Sequence, residues 1–498
     1  MSSLRKGVAH GAAWMMLYRL VDRSFGLIST MVLARLLVPA DFGIVAMATS
    51  LIALLELFYA FGLDVALIQR VNATRVHFDT VWTLNVAAGV AIAMCLVILA
   101  WPLSHFYHEP RLVKLVCVLA LGSAVQGFEN VGVVYFRKEM NFDREFRFLA
   151  AKRLITFCVG VTLALALRSY WSLALSMTLG RITGVAMSYR MHPYRPRFSL
   201  AALRELMHFS KWVFAQNLFF LLKERSCDFI VGRIAGPYSL GILSVSMEIA
   251  KMPGTELVAP INRAALPAYS RVAHEPPRIA QQYLTITSLI VLFVTPFVAG
   301  IGALGTVVAA LLLGPKWHEA STLISVVALV GVANVLINSS HPPILAIGKP
   351  VIYAKITALQ VCIEVPAIIF LTLHFGVLGA AYGYAVSAVV ILPISLWLVL
   401  GALNVRALEF VGNIWRPMVA AGLMYLCVKL AMPPVDAATI GTLGGLILVA
   451  KFAPLGAAVY VAAEALLWLL CKRPEGPELI VVEQLVMRWT MLRDRLRR

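Results

Sequence analysis

The sequence contains few charged residues and none of the common motifs of soluble enzymes. Only 14% of its 498 residues are charged, against about 25% in an average soluble domain, whereas 60% are hydrophobic. Its only Gly-Lys pair, Gly348-Lys349, is followed by Pro350, so no phosphate-binding P-loop is present. HExxH, GxSxG and Gly-rich dinucleotide-binding motifs are also missing. These absences exclude ATP hydrolysis by a P-loop and leave an enzyme interpretation without a site.

Cysteine is scarce and gives no sign of metal binding. The seven cysteines form no CxxC pair and have no histidines at metal-ligand spacing. All of them lie within or at the ends of apolar runs, so we interpret them as packing residues. The sequence therefore predicts no cofactor.

The sequence instead contains many long hydrophobic stretches. Its mean hydropathy is +0.84, and apolar stretches of about 20 residues, the length of a membrane-crossing helix, fill it almost end to end. Continuous Leu, Ala and Val runs favour helices over barrel strands, which would alternate. We predict an all-α polytopic membrane protein without a substantial soluble domain. About fourteen spans are expected near residues 10–37, 41–65, 80–103, 112–137, 146–168, 170–190, 206–234, 238–268, 280–314, 317–345, 351–374, 377–403, 411–431 and 443–471.

The loops between these spans differ in charge. About two dozen Lys and Arg fall on one side of the membrane and about five on the other, which predicts that both termini are cytoplasmic. We attribute the net charge of +18 to this asymmetry rather than to nucleic-acid binding, for which no motif is present. Residues 473–498 are predicted to form a basic amphipathic cytoplasmic tail on anionic lipid, with a partner-binding helix as the alternative.

An internal repeat divides the chain. The first hairpin of each half matches without gaps at an offset of 198 residues. The matched pairs are His10 with His208, Trp14 with Trp212, Leu20 with Leu218, Arg35 with Arg233, Pro39 with Pro237, Gly43 with Gly241, and Ile44 with Ile242. Six spans separate the copies, so both have the same orientation. We predict two pseudo-symmetric six-helix lobes, 1–200 and 201–403, followed by two C-terminal helices in 404–472 and the tail.

The repeated hairpin has a physical interpretation. Arg35 and Arg233 place a cation at a helix C-terminus, and Pro39 and Pro237 prevent the helix from continuing. Asp41 is predicted to cap the following helix.

Several spans contain charged residues, which cost about 2.5–3.5 kcal/mol each near a bilayer centre and so face a cavity or a partner. Arg19, Asp22 and Arg23 share one face of the first span. Candidates for substrate binding are Arg19, Asp22, Arg23, Lys152, Arg153, Lys223, Arg225 and Arg263. Candidates for ion coupling are Glu56, Asp228 and Glu364. Glu364 and Glu464 are isolated acids in long apolar stretches and are candidates for proton-titrating groups. The alternative is packing by ion pairs, such as Arg19 with Asp22 or Glu248 with Lys251.

Three segments carry a family resemblance. They are ARLLVPADFGIVAMATSLIALLELFYAFGLDVALIQR at 34–70, FRKEMNFDREFR at 136–147 and LVAPINRAALPAYSRV at 257–272. They resemble the polysaccharide transporter family, the bacterial flippases of the multidrug/oligosaccharidyl-lipid/polysaccharide superfamily, whose fourteen-helix layout matches essentially the whole chain.

The resemblance implies a flippase that moves undecaprenyl-diphosphate-linked oligosaccharides across the bacterial inner membrane by alternating access, for exopolysaccharide, capsule or O-antigen synthesis. It implies membrane lipid, a polysaccharide polymerase and export proteins as partners. It also places cavity cations at Arg19, Arg23 and Arg263. A multidrug antiporter of the same superfamily would instead need a net-acidic cavity, which Asp22 and Glu56 leave open. A polymerase or ligase would need a large outer loop, and a scaffolding subunit would not explain the arginines.

Overall fold

The described part of the chain is almost entirely helical. A computed structural model describes the backbone of residues 2–56, 74–139, 141–472 and 476–479, together with Leu67, Glu483, Met487, Trp489 and Thr490. It describes the side chains of these residues except 2–13, 204–220 and 222. Most of the predicted tail helix lies outside the described residues.

Sixteen α-helices, and no β-strand, occur within these described segments. They are α1 (Ser2–Leu36), α2 (Pro39–Glu56), α3 (Arg75–Tyr107), α4 (Arg111–Gly127), α5 (Val134–Lys138), α6 (Phe142–Leu167), α7 (Trp171–Met191), α8 (Leu203–Ala250), α9 (Ala259–Val272), α10 (Pro276–Ala303), α11 (Gly305–Leu312), α12 (Ala320–Ser339), α13 (His341–Ala346), α14 (Pro350–Leu403), α15 (Ala407–Ala431) and α16 (Thr442–Leu470).

Many of these helices are long and apolar enough to cross a membrane. Nine helical segments of the described chain meet that criterion, or ten if the pair that bends by 62° between α4 and α5 forms one span. The predicted fold class, an all-α polytopic membrane protein, is confirmed. The number of fourteen crossings stays a prediction.

Two of the longest helices are broken by glycine. At 54 residues, α14 would be about 81 Å long if straight, far more than a bilayer needs. It reverses at Gly376, whose φ of 60° is a left-handed conformation that only glycine adopts at little cost. Beyond the turn, a side chain at Gly379 would lie 1.9 Å from the carbonyl oxygen of Leu371, so the two legs pack tightly. In α8, Gly236 at φ 79° makes the corresponding break before Pro237.

The repeated hairpins contact each other through matched glycines. A Cβ added at Gly43 would lie 1.7 Å from the carbonyl oxygen of Pro237, and one added at Gly241 would lie 1.8 Å from that of Pro39. The contact is therefore reciprocal, and the first turns of the two helices pack with their backbones directly against each other. Only glycine permits this approach, which gives the repeated residue a packing role in both copies.

The predicted cap at Asp41 is wrong. Helix α2 begins at Pro39, so Asp41 lies inside its first turn. Its carboxylate accepts hydrogen bonds from the backbone N–H of Val38 at 3.2 Å and of Tyr170 at 3.1 Å. Proline at the first helical position shifts the start of the helix, since it lacks the N–H that a helix start leaves unpaired. The carboxylate therefore fixes the hairpin to the start of α7 instead.

The chain divides into two compact units, Met1–Ser244 and Val245–Arg498. In the first, α1 packs along α6, α3 along α4, and α6 along α7. Residues 203–244 belong to this unit, consistent with the glycine contact between the hairpins. In the second unit α10 packs against α12 and α15, and α15 against α16. The predicted lobe boundaries at 200 and 403 stay a prediction.

The interpretation of the cysteines as packing residues is wrong for six of the seven. Only Cys227 is partly buried, and the others are exposed at the surface of the described chain. The apolar faces of membrane helices are turned to lipid as well as to the interior, so an apolar neighbourhood in sequence does not predict burial among side chains.

Candidate functional site

The predicted polar face of α1 is part of a cluster with α6. Arg19, Asp22 and Arg23 are all partly buried. Asp22 forms an ion pair with Arg153 of α6, with 3.1 Å between Oδ1 and Nε. The predicted alternative, a pair of Asp22 with Arg19, is not formed, and no described residue makes an ion pair with Arg19. We call these four residues the guanidinium cluster, which holds three guanidinium groups and one carboxylate.

Packing between α1 and α6 sets the position of this cluster. Trp14 contacts Phe146 at 4.9 Å between ring centroids, and Phe25 contacts Phe157 at 5.3 Å, one pair on each side of Asp22. A Cβ at Gly26 would lie 2.9 Å from a terminal nitrogen of Arg153. The absence of a side chain at this position therefore makes room for the guanidinium that neutralises Asp22.

A second ion pair connects three helices. Arg181 of α7 contacts Glu56 of α2 at 2.7 Å and donates a hydrogen bond to the Ser123 hydroxyl of α4 at 2.6 Å. Glu56 is a predicted ion-coupling residue, and the structure shows its carboxylate occupied by an arginine. Charge-assisted hydrogen bonds of this kind are the strong ones inside a protein, so the contact favours a packing role for Glu56.

A third pair involves an acid that the sequence analysis did not select. Lys152 of α6 contacts Glu129 at 2.9 Å, and its ammonium also lies over the ring of Phe148 at 5.8 Å. Glu129 lies in the bend between α4 and α5, where Asn130 caps the short helical turn that follows. The signal that could have found it is an acid placed where the helical pattern is interrupted.

The remaining candidates are spread over both units. In the first, Arg225 pairs with Asp228 one turn away at 3.1 Å, and Lys223 lies on the same helix α8. In the second, Arg263 is exposed on α9, and Glu364 is buried on α14 and accepts a hydrogen bond from Gln360 at 3.2 Å.

The segment between α7 and α8 is held against the start of α3. Asp79 accepts hydrogen bonds from the Tyr194 hydroxyl and from the backbone N–H of Arg197, and Thr83 accepts one from Ser199. Burial, with a contribution from Asp79, raises the pKa of Tyr194. Burial also lowers the pKa of His192, so its ring stays neutral at neutral pH. The segment between α7 and α8 is thus ordered by side chains of α3.

The pair of Glu56 and Arg181 is expected to contribute to stability. Glu56→Gln should lower the free energy of unfolding by about 1–3 kcal/mol, because it leaves the half-buried Arg181 without its counter-charge. The variant Asp143→Asn removes an exposed pair with Arg147 at 3.6 Å and should have almost no effect. Thermal unfolding of the purified protein in detergent measures both. Equal unfolding temperatures for the two variants would contradict the expectation.

The contacting glycines Gly43 and Gly241, together with the pairs of Arg181 with Glu56 and of Lys152 with Glu129, lie in a segment with a known family pattern. Residues 32–322, more than half of the chain, match the model of a family described as polysaccharide biosynthesis protein. The chain belongs to this family. The membership predicted from the three sequence segments is therefore confirmed, and the chain is a multi-pass integral membrane protein of the polysaccharide biosynthesis family.

Relatives in this family span most of the chain. It is 22% identical over 424 residues to the lipopolysaccharide biosynthesis protein WzxC of Escherichia coli (strain K12), covering 83% of this chain and 85% of that one. It is 22% identical over 426 residues to the succinoglycan biosynthesis transport protein ExoT of Rhizobium meliloti (strain 1021), covering 85% and 86%.

Two solved structures show the fold. The lipid II flippase MurJ, in an inward closed conformation, superposes with a TM-score of 0.71 at 12% identity, over 92% of this chain and 100% of that one. An inward-facing multidrug resistance MATE family transporter superposes with a TM-score of 0.60 at 15% identity, over 77% and 95%. The transporter fold expected for the superfamily is thus present in this chain.

Proposed function

We propose that this member of the polysaccharide biosynthesis family is a flippase. It moves an undecaprenyl-diphosphate-linked oligosaccharide from the cytoplasmic to the outer leaflet of the bacterial inner membrane, with both termini in the cytoplasm. The observation that carries the proposal is the guanidinium cluster, in which Arg153 neutralises the single carboxylate Asp22. Arg19 and Arg23, which lie beside this pair, are proposed to bind the diphosphate, because guanidinium forms bidentate hydrogen bonds with phosphate and keeps its charge.

The transport cycle is proposed to be alternating access. With both termini in the cytoplasm, the turn after the first helix of each predicted lobe lies on the outer side. The reciprocal contact of Gly43 with Pro237 and of Gly241 with Pro39, between the two hairpins, is proposed to close this side. Separation of these hairpins opens the site outward, while the prenyl chain stays in lipid. The diphosphate shifts the equilibrium between the two states only by the difference in its affinity for the guanidinium cluster in each of them.

A multidrug antiporter is less well supported by the same contacts. An antiporter needs acidic groups that organic cations can reach, and Asp22 and Glu56 are the candidates for this role. Both carboxylates are engaged, Asp22 with Arg153 and Glu56 with Arg181. The relatives named for lipopolysaccharide biosynthesis and succinoglycan transport also favour the polysaccharide cargo. A polymerase and export proteins are the partners that such a pathway needs.

Deletion of the gene from its host tests the proposal. We expect loss of the surface polysaccharide and accumulation of the lipid-linked oligosaccharide in the inner leaflet, protected from a membrane-impermeant oxidant of sugars. Re-expression of the chain should restore both the polymer and access of the oxidant in spheroplasts. Susceptibility to cationic drugs should not change. Normal polymer together with increased drug susceptibility would contradict the flippase and favour the antiporter.

A further inference from the structure

The second unit contains a buried group of three ionisable residues, Arg416, Glu464 and Glu478. Arg416 of α15 makes two hydrogen bonds to Glu478, from Nε to Oε1 at 2.7 Å and from Nη2 to Oε2 at 3.1 Å. The two side chains are only 5% and 7% exposed. Glu478 follows α16 in the chain, so this bidentate pair attaches the segment 476–479 to the helical hairpin formed by α15 and α16.

Glu464 of α16 is the third member. It is 6% exposed, and both of its carboxyl oxygens are buried without a hydrogen-bond donor among the described residues. It lies within hydrogen-bonding reach of the Glu478 carboxyl, whose two oxygens are taken by Arg416. Two carboxylates thus face one guanidinium. A buried carboxylate without a compensating charge or donor is strongly unfavourable, and the usual solution is that it binds a proton.

Within the part of the chain that the structure describes, the surroundings of Glu464 supply no other compensating charge. On the same helix, the hydroxyl of Tyr460 donates to the carbonyl oxygen of Leu292 on α10 and is not available to Glu464. The charged groups that face Glu464 are Arg416 from α15 and Glu478 from the C-terminal segment. A proton on Glu464 gives the missing donor, because a protonated carboxyl can donate to the Glu478 carboxylate while Arg416 balances the remaining charge.

We propose that Glu464 and Glu478 form a proton-binding site beside Arg416, and that the bound proton keeps the C-terminal segment docked on the last hairpin. Loss of the proton sets two negative charges against one positive charge and releases Glu478. The segment is therefore docked at neutral and acidic pH and detaches as the pH rises. Gly476 belongs to the same site, since a Cβ there would lie 2.6 Å from Glu478 Oε2 and 2.7 Å from Arg416 Nη2. This proposal does not depend on the flippase function.

Dicyclohexylcarbodiimide tests for the proton because it reacts with protonated carboxyl groups in apolar surroundings. In the full-length protein at pH 7, mass spectrometry should find Glu464 modified, and modification should fall as the pH is raised. Glu478→Gln should reduce it at least fivefold, because Glu464 then ionises and pairs with Arg416. Glu409→Gln, an exposed acid on α15, should leave it unchanged. An unmodified Glu464 in the wild type, or equal modification in the Glu478→Gln variant, would overturn the proposal.

Release of the tail tests the docking. Trypsin should cut after Lys472 in the wild type increasingly as the pH rises from 6 to 9. Glu464→Gln mimics the protonated acid and should keep the cleavage low across this range, which also corrects for the pH dependence of trypsin. Superimposable profiles for the two proteins would show that the proton does not control docking.

Discussion

The double variant Arg19→Ala, Arg23→Ala should reduce polysaccharide output at least about 100-fold while the protein remains inserted in the membrane. Each charge-assisted hydrogen bond to a phosphate contributes about 1.5–3 kcal/mol, so the loss of two amounts to roughly two or more orders of magnitude in binding. Polymer measured per cell, normalised to the amount of protein in the membrane fraction, gives the result.

Two further variants make this test specific. Lysine at both positions should restore part of the output, because the charge returns without the bidentate geometry. Arg147→Ala removes an exposed arginine of α6 and should leave output unchanged. Full polymer yield from the double alanine variant would refute the assignment of the diphosphate to the guanidinium cluster. Loss of inserted protein would instead indicate a packing role for these arginines.

The variants Gly43→Ala and Gly241→Ala should each reduce polymer output at least about fivefold. The added methyl group would lie 1.7 or 1.8 Å from a proline carbonyl oxygen, so the hairpins must move apart. Overpacking of this kind costs about 1–3 kcal/mol, which lowers the ratio of the outward-closed to the outward-open state by roughly 5- to 150-fold. The transporter is then held open on the outside.

Accessibility from outside the cell measures this shift. In a cysteine-free background, a cysteine placed at Ala40 should react faster with a membrane-impermeant maleimide in either glycine variant than in the parent. Gly412 has open space around the position of a Cβ, so Gly412→Ala is the matched control and should change neither output nor labelling. Parent-like labelling and output in both hairpin variants would contradict the closing role of this contact.

The internal repeat is visible in the sequence, but the contact between its two copies is not. A constant offset of 198 residues in the sequence pairs Pro39 with Pro237 and Gly43 with Gly241. It could not indicate that the paired residues touch, because self-similarity reports a common local structure and not a spatial relation. The start of α2 was also displaced by two residues, since either Pro39 or Asp41 can begin a helix by local rules.

The partners of the charged residues were the weakest part of the prediction. The sequence spacing suggests Arg19, three residues away, as the ion-pair partner of Asp22. The structure shows that Asp22 pairs instead with Arg153 on another helix. Glu464 has no charged neighbour in its apolar stretch of sequence, yet its carboxyl group interacts with that of Glu478 and with the Arg416 guanidinium in the folded chain. A charge in a membrane helix selects whichever opposite charge the packing brings near, and that choice depends on helices far apart in sequence.

The sequence by itself determined that this protein is an all-helical membrane protein of the polysaccharide biosynthesis family, with a repeated hairpin. A membrane helix is recognised from the length of its apolar stretch and from the need to satisfy its own backbone hydrogen bonds in lipid. Both are properties of a single segment, so no knowledge of other segments is needed. Only the tertiary structure decided which charges are neutralised. Glu56 and Arg181 are 125 residues apart, and their contact depends on how α2, α4 and α7 pack. The guanidinium cluster likewise depends on the packing of α1 on α6, which gives Asp22 an arginine from a helix far away in sequence.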